Sequence, residues 1–184
     1  MQGRRGPVVT DAANGDERRG FRVQVSSERV VLPNGVTRVL DIVRHPGAAA
    51  VVPFLSDDEV LLIRQYRFAA DGMILEVPAG KLDAGEAPAV CAGRELEEEA
   101  GQRAGRLEAL GWIWTTPGFT DEKIHLFAAF DLTPVPQSPE DDEIIEIVPT
   151  PLDRALDLVW RGEINDAKSA MALLHAARHV GRLR

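Results

Sequence analysis

Glu95, Glu98 and Glu99 are related by three- and four-residue spacings, so on an α-helix of about 3.6 residues per turn they gather on one side. Three carboxylates so placed repel one another unless solvent, an arginine or a metal ion offsets their charge. Their oxygen donors suit a hard divalent cation, Mg²⁺ or Mn²⁺. Taken alone, the same spacing fits a solvated acidic face equally well, with Arg94 pairing locally with Glu98. The neighbouring residues tip the balance toward a site. Gly80 and Gly85 flank a short loop, Glu86 stands just before the helix, and Arg94 adjoins its acidic side. Glycine permits close approach of backbone to a ligand, and arginine can orient a carboxylate through paired hydrogen bonds. Such a layout suits a pyrophosphate, whose oxygens metal ions can bridge while they acidify an attacking water.

Those side chains require a helix that starts near Pro88 and ends at Gly101. Pro88 suits a first turn, Ala and Glu fill the interior, and Gly101 suits the exit. Ala89, Gly93, Leu96 and Ala100 fall on the opposing side, which is expected to be buried. Gly93 costs about 1 kcal/mol of helix propensity against alanine, and its missing side chain is expected to allow close packing. Cys91 projects on the carboxylate side as a small packing residue.

Upstream, GAAAVVPFL and EVLLIRQYR read as two strands buried on both faces and separated by the turn SDD. Before them, FRVQVSS and VVLPNGVTRVLDIVR read as a hairpin turning at Pro33, Asn34 and Gly35. Downstream, RLEALGWIWTTPG and EKIHLFAAFDLTPV are strands around a Pro-Gly loop, PQSPEDDE is an acidic loop, and EIIEIVPT returns to a strand. Two helices close the chain: one begins near Pro151, the other is capped by Asn165. The economical architecture is α/β, a mixed sheet packed between helices. Residues 1–20 read as a flexible arm, 21–45 as an N-terminal strand region, and 46–184 as one domain that includes the C-terminal helices.

With 184 residues, 45% of them hydrophobic, the chain is long enough for one substantial core. A formal net charge of -8 argues against nucleic-acid binding, but not against a small phosphorylated substrate whose charge a metal offsets. Cys91 is the only cysteine, which fits a reducing compartment. No stretch has the character of a secretory signal or membrane span. The expectation is a soluble cytoplasmic protein with neither nucleic-acid nor membrane partners.

The stretch GKLDAGEAPAVCAGRELEEEAG resembles the signature of the Nudix hydrolases: Gly, five residues, Glu, seven residues, Arg-Glu, an aliphatic residue, one residue, Glu-Glu, one residue, Gly and usually an aliphatic residue. The fixed positions fall on Gly80, Glu86, Arg94, Glu95, Leu96, Glu98, Glu99 and Gly101, and Gln102 departs from the last. The resemblance implies an α/β/α sandwich that hydrolyses a nucleoside diphosphate linked to another moiety. It makes Glu95, Glu98 and Glu99 the principal metal ligands, and gives Glu86 a part in holding the loop or a metal through water.

LLIRQYR, EVPAGKLDAGE and TPGFTDE further resemble the ADP-ribose pyrophosphatase branch of that family, in which Pro117, here followed by Gly118, is a marker of ADP-sugar activity. On the same resemblance the Ala79 carbonyl binds a metal and Arg67 lies near the diphosphate. Glu143 activates or positions the water, with Glu140 as its neighbouring alternative. Arg64, Arg38 and Arg44 are further candidates for phosphate contact, and Glu76 for a role linked to the ligand. The reaction implied is hydrolysis of ADP-ribose to AMP and ribose 5-phosphate, with Mg²⁺ or Mn²⁺ and no organic cofactor. A homodimer is expected, the hairpin adding strands across the subunit interface, with Phe21 as a candidate for adenine. Two alternatives stay open: a broader nucleoside diphosphate sugar or dinucleotide pyrophosphatase, and a non-catalytic nucleotide-binding sensor.

Overall fold

The computed structural model describes residues 24–183, and two apolar runs explain its layers. Strands β3 (Ala48–Ser56) and β4 (Glu59–Arg67) carry apolar side chains at successive positions. Because adjacent side chains of a strand point to opposite faces, both sides need cover. On one face Ala49, Val51, Leu61 and Ile63 meet Cys91, Ala92, Leu96 and Ala100 of α1 (Pro88–Ala100). On the other, Ala50, Val52, Val60 and Leu62 join Leu152, Ala155 and Leu156 of α2 (Leu152–Trp160) and Leu173 and Ala176 of α3 (Ala167–His179). Strand β8 (Lys123–Pro134) runs parallel to β3 and divides in the same way, Phe127 and Ala129 toward α1, Leu126 and Ala128 toward α2 and α3. This is the expected α/β/α sandwich on a mixed sheet.

The strands lie in the order β5-β4-β3-β8-β7, where β5 is Gly72–Glu76 and β7 is Gln102–Trp114. Beside this path β6 (Ala79–Lys81) pairs with β3, and β9 (Ile145–Pro151) pairs with β4. Strand β3 touches β4 only at Phe54↔Val60 and Ser56↔Glu59, across a bulge. Its other end is thereby free for β6, which lies antiparallel along Ala48–Ala50. Neither β5 nor β6 stands out from the sequence, yet β6 is the strand that roofs the acidic helix.

The hairpin of β1 (Gln24–Val31) and β2 (Thr37–Arg44) forms its own two-stranded sheet. Its turn closes where the Gly35 N–H donates to the Leu32 carbonyl at 2.8 Å. It joins the body at its base, where the Val43 N–H donates to the Phe119 carbonyl at 2.7 Å. The expected arm over residues 1–20, and Phe21, lie outside the described residues.

Gly101 ends α1 with φ 61°, and a Cβ there would sit 3.0 Å from the Val135 carbonyl oxygen, so both conformation and space require glycine. Gly93 differs from expectation. A Cβ added to it would meet only Leu107 at 3.8 Å, an ordinary contact, so close packing does not explain it. The cap of α3 also differs: Asp166, not Asn165, accepts the Ser169 N–H, because the chain enters the helix one residue later. Among the described residues no helix is long and apolar enough to cross a membrane.

Candidate active site

Glu95 and Glu99 are 8% and 1% exposed, so the acidic side of α1 is not a solvated face. A helical projection gives direction but not depth; here β6 covers the two carboxylates, while Ala89, expected inside, is exposed. Glu99 Oε2 accepts the Ala79 N–H at 2.8 Å. Burial nonetheless pushes the Glu99 carboxyl up to about 8, and the charges of Glu95 and Glu143 add to this. Burial also raises Glu95, against the pull of Arg94. Gly80 has no room for a side chain, since a Cβ there would overlap the Glu95 carboxylate.

One guanidinium organises the remaining carboxylates. Arg94 Nη1 donates to Glu95 Oε1 at 2.7 Å and to Glu98 Oε2 at 2.9 Å. Its Nε and Nη2 reach Glu86 at 3.0 and 3.1 Å, and Nη2 also donates to the Lys81 carbonyl at 3.2 Å. Glu86 Oε2 accepts the Asp83 N–H at 3.0 Å, tying down the loop that turns at Gly85 with φ 79°. The hydrogen bonds from Arg94, then that from Asp83, lower Glu86 from 4.5 to about 2. Its ionised form therefore stabilises the fold fully above pH 4.5, and this contribution is lost as the pH falls toward 2. In urea unfolding across that range, the stability gap between wild type and Glu86→Gln is expected to close as acid is added; a gap independent of pH contradicts the assignment.

Glu95, Glu98, Glu99 and the Ala79 carbonyl offer only oxygen donors, and the raised carboxyls of Glu95 and Glu99 are ones a divalent charge would offset. That chemistry fits Mg²⁺ or Mn²⁺. Among the described residues no group of three or more His, Cys, Asp or Glu is arranged to hold an ion. The geometry explains this: Arg94 bridges Glu95 and Glu98, and Glu99 is turned to the Ala79 N–H.

These groups border a cleft of about 840 Å³ whose lining includes Arg67, Ala79, Gly80, Glu95, Glu98 and Glu143. Arg67 is held against buried Glu76, Nη2 to Oε2 at 2.7 Å and Nε to both oxygens at 3.2 Å. Glu140 and Glu143 sit on the cleft as a closed turn, Glu140 N–H donating to Glu143 Oε2 at 2.8 Å. The cleft does not gather every candidate. Arg64 alternates to the other face of β4 and pairs with Glu146 at 3.5 Å. Arg38 and Arg44 stay on the hairpin, the latter tied to Glu28 and Asp121 at 2.7 and 2.8 Å. Pro117 and Gly118 lie in the turn after the rim residues Thr115 and Thr116, outside the lining itself. Cys91 is pushed up to about 12 by burial, so it remains a thiol beside the Gly80 and Lys81 carbonyls.

Lys168, Asp166 and Gln65 also line the cleft, and sequence reasoning missed them. Gln65 carried a visible signal, a polar residue at a buried position of an apolar strand. Lys168 carried none, because its neighbours come from the other half of the chain.

The NUDIX domain model matches residues 43–173. The chain is 41% identical over 156 residues to an ADP-ribose pyrophosphatase of Bacillus subtilis (strain 168), covering 84% of each chain. It is 40% identical over 156 residues to a methanol dehydrogenase activator of Bacillus methanolicus, again over 84% of each. A crystal structure of an ADP compounds hydrolase superposes over 100% of both chains with a TM-score of 0.77 and 28% identity. The matched span takes in the whole of the Gly80–Gly101 loop and helix with the strands that bury it, and this chain belongs to the NUDIX family.

Proposed function

We propose that the protein hydrolyses the pyrophosphate bond of ADP-ribose, giving AMP and ribose 5-phosphate. The observation that carries this reading is the cleft itself, in which an ion-paired arginine faces a set of half-buried and buried carboxylates across a space of about 840 Å³. Carboxylates alone repel a diphosphate; together with a divalent cation and Arg67 they bind one. The likeness to an ADP-ribose pyrophosphatase over most of the chain supports the choice of substrate.

Glu95, Glu98, Glu99 and the Ala79 carbonyl would hold Mg²⁺ or Mn²⁺, which supplies neutralising charge for the diphosphate and acidifies water. Arg67 donates to phosphoryl oxygens and stabilises the charge that gathers there. Glu143 accepts a hydrogen bond from the attacking water and aims its lone pair at phosphorus. As the new P–O bond forms and the bridging P–O bond breaks, one phosphate departs with the bridging oxygen, and the water's proton passes through Glu143 to solvent. Arg94 and Glu86 hold the acidic helix and its loop in register for this step.

The reading is tested by kcat/KM for ADP-ribose beside GDP-mannose and flavin adenine dinucleotide, with products identified. ADP-ribose is expected to lead the series. Equal rates throughout replace it with the broader pyrophosphatase, and binding without turnover replaces it with the sensor.

The protein is further proposed to be a homodimer, since Val25, Val31 and Val39 of the hairpin are 67%, 72% and 58% exposed. Light scattering is expected to return twice the chain mass; a single-chain mass rejects the dimer.

A further inference from the structure

Gln65 stands near the end of β4, where the apolar run has stopped at Ile63 and the cleft begins. It shares a face of the strand with Ile63, which belongs to the core under α1, and with Arg67, which lines the cleft. Gln65 is 2% exposed. Among the described residues its Oε1 is the one buried side-chain oxygen or nitrogen without a hydrogen-bond partner. A carbonyl oxygen left unpaired at that depth lowers the stability of the fold, and an apolar side chain in its place would not.

The sheet sets this amide beside the acidic loop. Gln65 is opposite Ile145 of β9 in the antiparallel register, and Ile145 packs against the layer under α1. The Tyr66 N–H donates to the Ile144 carbonyl at 3.1 Å, which carries the pairing one residue beyond β9. Glu143 is the next residue along, and both it and Gln65 line the cleft. The charge of Glu143 helps to raise the carboxyls of Glu95 and Glu99, which puts it on the α1 side of the cleft, the side that Gln65 faces.

A water that attacks phosphorus directs a lone pair at it and has two O–H groups left to place. Glu143 accepts one of them in the reaction set out above. A second carboxylate for the other would add negative charge beside a diphosphate, whereas an amide carbonyl accepts a hydrogen bond without charge. We propose that Gln65 Oε1 accepts the second hydrogen of the attacking water and, with Glu143, fixes its orientation. Gln65 takes no proton. As the new P–O bond forms and the bridging P–O bond breaks, the hydrogen bonded to Glu143 leaves as the proton, and the one bonded to Gln65 stays on the oxygen that joins phosphorus. This role rests on the pyrophosphatase reading. Its rival is purely structural, an amide that holds a water pinning β4 to β9.

The two roles move turnover and stability in opposite directions. Gln65→Met keeps the length of the side chain and removes the acceptor. It is expected to lower kcat for ADP-ribose about tenfold or more, with KM and the calorimetric affinity for inorganic pyrophosphate within about twofold of wild type. Its thermal midpoint is expected to equal or exceed that of wild type, because an unpaired buried oxygen is gone. Gln65→Leu is expected to behave in the same way and serves if the methionine variant does not fold. A structural water predicts the reverse, a lower midpoint with kcat unchanged, and that result overturns the proposal. So does a loss confined to KM and pyrophosphate affinity, which would make Gln65 a substrate contact. Failure of the pyrophosphatase reading is distinct: wild type that hydrolyses no nucleoside diphosphate compound removes the reaction and this role together, whereas wild-type turnover with unchanged kcat in Gln65→Met removes only the role.

Discussion

Glu99→Gln is expected to lower kcat/KM by roughly 10³-fold, while the metal-free protein loses the dependence of stability on pH that this buried carboxyl brings. The kinetic part follows from the loss of an anionic oxygen donor. Metal-derived stabilisation of the transition state amounts to several kcal/mol, and about 1.4 kcal/mol is tenfold in rate. The stability part follows from burial. The Glu99 carboxyl is raised from 4.5 to about 8 in the fold, so between those values the native state holds a proton that the unfolded chain has released. Stability contributed by this group is full below pH 4.5 and falls as the pH rises toward 8. Glutamine has no such proton to lose, and its side-chain carbonyl can still accept the Ala79 N–H. Metal-free wild type should therefore lose stability between pH 5 and 8 in a way the variant does not, in urea titrations with chelator present, over the interval set by the shift to about 8. Equal slopes for both proteins contradict the burial argument, and full activity in the variant removes Glu99 from the metal set.

Gly80→Ala is expected to cost roughly 10²-fold in kcat/KM with the fold retained, since misplacement of a catalytic group by about 1 Å is enough for that loss. Gly80 has no positive φ to protect; its constraint is space. A Cβ would overlap the Glu95 carboxylate, which is 8% exposed and tied to Arg94 at 2.7 Å. The carboxylate ends a flexible side chain, so it can swing aside, but only by leaving Arg94 and the place under β6 that the proposed chemistry gives it. Circular dichroism should remain native while activity falls. If activity is also unchanged, the position of Glu95 under β6 is not what turnover depends on.

The difference between what was legible in the sequence and what was not has a physical basis. The acidic helix was visible because Pro88, the Ala- and Glu-rich interior and Gly101 are local signals, and the structure places α1 at Pro88–Ala100. The buried strands were visible because Ala48–Val52 and Val60–Ile63 are unbroken apolar runs. Depth was not visible. Glu95 and Glu99 are inside because three residues, Ala79–Lys81, pair with β3 above them, and a three-residue strand leaves no periodicity. The choice between Arg67 and Arg64 turns on strand parity: Arg67 faces Glu76 and the cleft, and Arg64 faces Glu146. The Lys168–Glu76 ion pair was least visible of all, because the two residues meet only once α3 has docked, and nothing local to either records the other.

The most direct test of the central claim is product-resolved hydrolysis of ADP-ribose by the purified wild-type protein, with Mg²⁺, with Mn²⁺ and with chelator. AMP and ribose 5-phosphate should form in equal amounts with either metal and stop with chelator. Undiminished turnover in chelator would contradict the assignment of the buried carboxylates to a metal, and ADP-ribose left intact under every condition would contradict the hydrolysis itself.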